Sequence, residues 1–235
     1  MLNSLGMIDA VVTDDSDAVV FGANIIYKSI PREDREFDDQ VNCYDAKKAK
    51  SEINFSRGDA LLVALLSGGD YHKGIERCGY KIAHDLAKCG FGKRLLQEYS
   101  ASQDRDELAR FLSEWRVQLR LELCSNSEGN LKYHFPSVAQ NIPDTFPDLN
   151  IVELYVNPLT SLTAGSPPIL PDQNQWLIKE IPDIVKFCVL HLGWNTLAKL
   201  RTHFKSKLYE AIFLRMIYSP LAIYDPSTRN PAPQT

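Results

Sequence analysis

Residues 57–67 would place apolar side chains on nearly all sides of a helix, and they are followed directly by Gly68-Gly69. A run that is apolar on all sides predicts a buried helix, and a glycine pair is a typical end of such a helix. Asp70 comes immediately after the glycines. We therefore expect this carboxylate to be held at the end of a rigid, buried element.

A second group of glycines follows in the connection to the next predicted helix, Tyr80–Cys89. Glycine allows the backbone to turn tightly and to approach a ligand, and the free N–H groups at a helix start attract anions. Lys81 would add a positive charge at that helix start. An ordinary helical hairpin without a ligand is the alternative. The candidate phosphate-binding residues of this connection are Lys73, Gly74, Gly79 and Lys81.

An aspartate-rich turn, Thr13–Asp17, follows the β-branched run Ile8–Val12. The run predicts a buried strand. In open α/β sheets, ligands bind where strands end, so Asp15 and Asp17 would lie at a functional edge. The alternative is that these acids only cap a helix that begins near Ser16.

Clustered carboxylates suit Mg²⁺ or Mn²⁺, which prefer oxygen ligands and water. Hydrolysis of a phosphodiester near neutral pH needs such a cation to stabilise charge and to generate hydroxide. Asp15, Asp17 and Asp70 are therefore the candidate catalytic and metal-binding residues. Together with the phosphate-binding turn, they predict chemistry on a nucleic acid.

Composition limits this interpretation without deciding it. The chain of 235 residues is long enough to bury a substantial core. Its net charge of −4 does not favour a nucleic-acid-binding protein, although residues 71–94 and 186–207 are locally basic. The five cysteines include no CxxC pair, which argues against a zinc knuckle. The apolar runs are too short to span a bilayer, so we expect a soluble, intracellular protein.

The rest of the chain alternates predicted elements and polar breaks. We expect loops at residues 31–40, 125–130, 141–148 and 163–172, strands at 24–30 and 41–44, a short element at 149–156, and helices at 46–55, 93–99, 106–121, 183–192 and 194–217. In the last helix one apolar stripe predicts a buried face, formed by Leu197, Leu200, Phe204, Leu208 and Ala211.

Three segments resemble the internal catalytic region of the XPG and flap-endonuclease superfamily of structure-specific 5′ nucleases. Residues 8–18 resemble its strand with a TxDxD box, Leu65–Tyr71 resembles its LxGxDY box, and Cys78–Ala83 resembles the GxGxKxA turn of its helix-two-turn-helix. The particular forms GGDY and CGYKIA are similar to fungal relatives in the Holliday-junction-resolvase branch.

The resemblance implies an α/β fold, with a truncated PIN-like 5′-nuclease core on a short parallel sheet, a helix-two-turn-helix and a mostly α-helical C-terminal part. Residues 1–122 would form the nuclease region, residues 123–225 a helical extension and residues 226–235 a disordered tail. Asp15, Asp17 and Asp70 would bind Mg²⁺ or Mn²⁺, and Lys73, Gly74, Gly79 and Lys81 would hold branched double-stranded DNA in the nucleus. The turn would also accommodate a monovalent cation.

Two functions follow from this resemblance. The first is a metal-dependent, structure-specific DNA endonuclease that acts on flaps or Holliday junctions. The second is a catalytically incomplete junction-binding module, because the superfamily's further N-terminal acids precede the matched segments and are absent from this chain. A third possibility, an α/β scaffold for protein partners, would require the motifs to coincide by chance.

Overall fold

The computed structural model describes residues 2–34, 36, 40–102, 104–160, 163, 165, 181–218, 222–225 and 230–233. The chain divides into two compact units, residues 1–168 and residues 169–235. The two units are described separately below.

The first unit begins with a small mixed sheet. Strands β1 (Val11–Val12), β2 (Ile25–Ser29) and β3 (Val41–Asp45) lie in the order β1-β2-β3, and helix α1 (Asp17–Val20) connects the first two. β1 and β2 are parallel, with Val11 opposite Ile26, whereas β2 and β3 are antiparallel. The predicted parallel sheet is therefore correct only for β1 and β2. β3 returns beside β2 without a helical crossover, and such a connection produces an antiparallel pair.

The predicted buried strand at Ile8–Val12 is wrong in both length and burial. β1 has two residues, and Val12 is 82% exposed while Ile26 on β2 is 1% exposed. The buried Asn3 side chain explains the shortening, because its Nδ2 donates to the carbonyl oxygens of Ile8 at 3.0 Å and Asp9 at 2.8 Å. These carbonyl groups are thereby satisfied outside a strand ladder.

The remaining elements of the first unit are helices. They are α2 (Ala46–Ile53), α3 (Arg57–Ser67), α4 (Tyr80–Lys88), α5 (Phe91–Ala101), α6 (Arg105–Ser125), α7 (Pro136–Asn141) and α8 (Leu149–Val156). α3 lies in the core, as predicted, with Leu61, Leu62, Leu65 and Leu66 almost fully buried. A short 3₁₀ turn, Arg32–Asp34, lies in the predicted loop at 31–40, of which residues 35 and 37–39 are outside the described residues.

α3 and α5 approach each other closely because glycine lies at their contact. A Cβ atom on Gly92 would lie 2.2 Å from the carbonyl oxygen of Gly58, and one on Gly58 would lie 2.6 Å from that of Gly92. Asp59, in the first turn of α3, forms a capping box with Ser56. Its Oδ2 accepts a hydrogen bond from the Ser56 backbone N–H at 2.8 Å. The start of the buried helix is thus fixed by local hydrogen bonds and by backbone packing.

The predicted boundary after residue 122 falls inside helix α6, which continues to Ser125. Glu122 is buried there, and its carboxylate accepts a hydrogen bond from the Ser127 hydroxyl. The chain therefore continues without a break in packing at this point, and the compact unit extends to residue 168.

The second unit contains helices α9 (Ile181–His191), α10 (Leu197–Lys207) and α11 (Tyr209–Tyr218), followed by an antiparallel pair of strands, β4 (Ala222–Asp225) and β5 (Asn230–Pro233). The sequence predicts a disordered tail over residues 226–235, whereas its described part, residues 230–233, is a strand. The predicted loop at 163–172 lies almost entirely outside the described residues.

The single helix predicted over residues 194–217 is in fact two, because α10 ends at Lys207. The predicted buried stripe is also wrong. Leu197 is 64% exposed, Ala211 is exposed, and the stripe residues between them are only half-buried. The break between the helices interrupts the periodicity on which the stripe depended.

Candidate metal centre and nucleic-acid interface

The first acidic segment is held by hydrogen bonds around Asp14 and Asp15. Asp14 Oδ1 accepts from the backbone N–H of Ser29 at 2.8 Å, which ties the segment to the end of β2. Asp15 Oδ1 accepts from the backbone N–H of Asp17 at 2.9 Å. The alternative interpretation is that these acids only cap the start of α1. It applies to one carboxylate oxygen of Asp15.

Asp70 lies in a tight turn at the end of α3, as the glycines predict. The backbone N–H of Gly69 donates to the carbonyl oxygen of His72 at 3.0 Å, and the Gly74 N–H donates to His72 Nδ1 at 2.9 Å. Gly74 has φ +75°, and a Cβ atom there would lie 2.4 Å from the backbone nitrogen of Gly68. Hydrogen bonds thus fix the backbone before and after Asp70. Asp70 itself is exposed to solvent.

The three predicted acids lie close enough for their charges to interact. Partial burial raises the pKa of Asp17 above its usual value, and the negative charges of Asp15 and Asp70 raise it further. Neighbouring like charges disfavour ionisation, and a bound cation relieves this cost. Asp15, Asp17 and Asp70 therefore form one negatively charged cluster, called here the acidic cluster.

The acidic cluster, as far as the described residues show it, does not form a closed cage around one metal ion. Within the described part of the chain, no group of three or more His, Cys, Asp or Glu side chains is arranged to hold one ion. Mg²⁺ usually keeps several waters and binds proteins through one or two carboxylates.

Tyr155 lies beside the acidic cluster, and the sequence did not predict this. It is fully buried on α8, with its ring centroid 5.0 Å from that of Tyr71 and 5.8 Å from that of Phe21. Burial raises the pKa of Tyr155 to about 12, and the charges of the nearby acids add to the effect. Nothing in the sequence around residue 155 indicates this position, because the acids lie far away along the chain.

Arg57 is a second residue that sequence reasoning missed. Its Nε donates to the carbonyl oxygen of Val20 at 2.8 Å, and its Nη2 donates to those of Tyr155 at 2.9 Å and Val156 at 3.0 Å. One side chain at the start of α3 therefore joins the end of α1 to the end of α8. This linkage positions the segments that carry Asp17 and Tyr155.

The connection between α3 and α4 presents an exposed helix start. Gly79 precedes α4 with φ −75°, and a Cβ atom there would meet nothing within 4 Å. Lys73 and Lys81 are exposed and make no ion pair within the described part of the chain. By contrast, Lys88 pairs with Asp85 at 2.8 Å. Lys73 and Lys81 are thus free to meet an anion, whereas Arg77, which lies between Gly74 and Gly79, pairs with Glu76 at 3.8 Å.

Comparison with known proteins shows what this chain is similar to. The XPG I-region family matches residues 1–70. The DNA repair protein rad13 of Schizosaccharomyces pombe is 25% identical over 198 residues, which are 83% of this chain and 16% of rad13. The flap endonuclease GEN homolog 1 of Homo sapiens is 31% identical over 100 residues, which are 42% of this chain and 11% of that protein. This chain is thus similar to the XPG I-region family over residues 1–70 and to a DNA repair protein over most of its length.

Solved structures of the superfamily support the fold. A eukaryotic junction-resolving enzyme GEN-1 binding with potassium is 29% identical with a TM-score of 0.63, over 87% of this chain and 48% of that chain. A GEN1 complex with product DNA and Mg²⁺ is 28% identical with a TM-score of 0.56, over 87% of this chain and 48% of that chain. The fold is thus that of a 5′-nuclease core with a small mixed sheet and mostly helices.

The chain spans less than a fifth of the length of these curated relatives and about half of the GEN-1 chains. Among the helices that the structure describes, none is long and apolar enough to cross a membrane.

Proposed function

We propose that this chain is part of a metal-dependent, structure-specific DNA endonuclease that hydrolyses phosphodiester bonds in branched DNA in the nucleus. The observation that carries the proposal is the acidic cluster at the end of α3, followed directly by the glycine turn. Relatives named as flap endonucleases and DNA repair proteins support the choice of substrate.

The acidic cluster would hold the cation. Asp70 comes from a closed turn, and Asp15 and Asp17 come from a segment tied to β2, so the carboxylates are presented by elements with restricted movement. A bound Mg²⁺ or Mn²⁺ would supply charge stabilisation and an activated water. The GEN1 structure with product DNA and Mg²⁺ supports this choice of cofactor.

The connection between α3 and α4 would hold duplex DNA beside the cluster. Lys73 and Lys81 would bind phosphates by charge, and Gly79 leaves room for a phosphate near the backbone N–H groups of α4. Gly74 would act indirectly by shaping the turn. Such contacts bind DNA without reading its sequence. The turn would also hold a monovalent cation, and the GEN-1 structure binding with potassium supports a monovalent cation as a ligand.

The second candidate is a junction-binding module without catalytic activity. The observation that favours it is that no group of three or more ligating side chains is arranged around one ion in the described residues. Such a module would bind DNA through Lys73, Gly79 and Lys81 and would not hydrolyse it. The two candidates therefore differ in cleavage and agree in binding.

The test is cleavage and binding of labelled flap and four-way-junction DNA with Mg²⁺ or Mn²⁺. We expect Asp70→Asn to lose cleavage and to keep DNA binding, because the substitution removes one charge from the acidic cluster and leaves Lys73 and Lys81 unchanged. Asp144→Asn is the matched control, since Asp144 is an exposed acid that pairs with Arg120 at 2.7 Å. If the unsubstituted chain binds branched DNA without cleaving it, the result favours the junction-binding module. If the unsubstituted chain neither binds nor cleaves the DNA, the result contradicts both candidates.

A further inference from the structure

The ring of Tyr155 touches both acidic segments. Phe21, which it contacts at a centroid distance of 5.8 Å, follows the helix that begins with Asp17. Tyr71, which it contacts edge-on at 5.0 Å, directly follows Asp70. One buried side chain thus lies between two parts of the acidic cluster that are distant along the chain.

The hydroxyl of Tyr155 is buried and has no hydrogen-bond partner among the residues that the structure describes. It points at the Asp70 turn, because a Cβ atom on Gly69 would lie 2.6 Å from the Tyr155 hydroxyl oxygen. A buried polar group without a partner lowers stability, and phenylalanine would avoid this cost. The hydroxyl therefore calls for an explanation beyond packing.

The surroundings determine the role that this hydroxyl can take. The charged groups that act on it are the carboxylates of Asp17, Asp70 and Asp15, and the neighbouring phenol of Tyr71 also acts on it. Toward negatively charged groups, a phenol donates a hydrogen bond. A phenol with the ordinary tyrosine pKa of about 10 is protonated near neutral pH, so the donor is present.

The backbone around Tyr155 is fixed. Arg57 binds the carbonyl oxygens of Tyr155 and Val156 with one nitrogen and that of Val20 with another. The position of the phenol relative to the segment that carries Asp17 therefore depends on a charged, bidentate linkage rather than on apolar packing alone.

We propose that Tyr155 is a positioning residue of the acidic cluster: its ring sets the separation of the two acidic segments, and its hydroxyl donates a hydrogen bond to a water that the cluster binds. The inference rests on the proposed function, because it concerns the same site. Groups of this kind orient metal ligands, and their removal typically lowers metal affinity by about 10-fold or more.

The test is a Mn²⁺ titration followed by electron paramagnetic resonance, together with thermal unfolding in EDTA. We expect Tyr155→Phe to weaken Mn²⁺ binding about 10-fold without lowering the melting temperature, because only the unpartnered hydroxyl is lost. Tyr99→Phe is the matched control, since the Tyr99 hydroxyl hydrogen-bonds Glu153 on the same helix, α8. Its Mn²⁺ affinity should stay unchanged.

A Mn²⁺ affinity of Tyr155→Phe within twofold of the unsubstituted chain would overturn the role of the hydroxyl. Tyr155→Leu removes the ring as well and should weaken Mn²⁺ binding further. If that variant fails to fold, Tyr155→Phe still decides the question.

Asp70→Asn separates this inference from the proposed function. If Asp70→Asn loses Mn²⁺ and Tyr155→Phe retains it, the role of Tyr155 is overturned and the metal site stands. If the unsubstituted chain binds no Mn²⁺, both the metal site and the role of Tyr155 are overturned.

Discussion

Two regions of the first unit use glycine in opposite ways. At Gly58 and Gly92 two helix backbones touch, and a Cβ atom would lie 2.2 to 2.6 Å from a carbonyl oxygen. At Gly79, before α4, a Cβ atom would meet nothing within 4 Å. The first region needs glycine for packing, and the second has no such need. Close approach by a ligand is a physical reason for glycine in the second region.

The acidic cluster resembles the region around Gly79, because packing alone does not explain it. Partial burial, together with the like charges of the cluster, raises the pKa of Asp17, and both effects work against the folded state at neutral pH. The comparison therefore predicts that substitutions in the packed region destabilise the protein, whereas substitutions at the exposed site leave its stability unchanged or increase it.

The largest effect is expected from Gly92→Ala. The added methyl group would overlap the backbone of Gly58, which has no flexible side chain to move away, so α3 and α5 must separate. We expect a loss of about 3 kcal/mol in the free energy of unfolding. Urea unfolding measures it. An equal, small effect of Gly92→Ala and Gly79→Ala would remove the distinction between the two regions.

A smaller effect, of opposite sign, is expected from Asp17→Asn. Because the pKa of Asp17 is raised in the folded state, the folded protein binds more protons than the unfolded chain, and stability falls as pH rises through this pKa. At pH 7 the ionised Asp17 therefore costs stability. We expect Asp17→Asn to raise the melting temperature by about 1–2 °C in EDTA.

The gain from Asp17→Asn should shrink as pH falls toward the usual aspartate pKa of 3.8, where the cost disappears. Thermal unfolding at several pH values checks this. A lower melting temperature at pH 7 would mean that Asp17 supports the fold, which would contradict its placement in a repulsive cluster.

The smallest effect on the fold is expected from Gly79→Ala. The backbone angles suit alanine and the space is open, so the free energy of unfolding should change by less than about 0.5 kcal/mol. Affinity for branched DNA should fall about fivefold, because the methyl group occupies the space proposed for a phosphate. Fluorescence anisotropy measures the affinity. Unchanged binding would show that no phosphate approaches Gly79.

The parts of the fold that were predicted correctly depend on local signals. The apolar run at 57–67 and the glycines at residues 68 and 69 are enough to predict α3 and the turn that holds Asp70, because burial on all sides and a helix stop are both visible over a few residues. The clustering of Asp15, Asp17 and Asp70 was predicted from their motifs. Their roles as metal ligands remain predictions.

The parts that were missed depend on contacts between distant residues. The side chain of Asn3 binds two carbonyl groups that the β-branched run would otherwise use in a strand. Tyr155 lies beside the acidic cluster, and Arg57 joins α1 to α8, although the local sequence of neither residue's helix indicates these contacts. No periodicity in the sequence encodes such contacts, since they depend on how the elements pack.

The linkage made by Arg57 also has a consequence for the timing of folding. Arg57 and the carbonyl groups of Tyr155 and Val156 are separated by 98 and 99 residues. During synthesis the chain folds from its N-terminus, and contacts over such separations form late. The nascent chain would carry all three aspartates well before α8 leaves the ribosome. The contacts of Arg57 and Tyr155 with the segment that follows Asp17 can thus form only after most of the first unit has been translated.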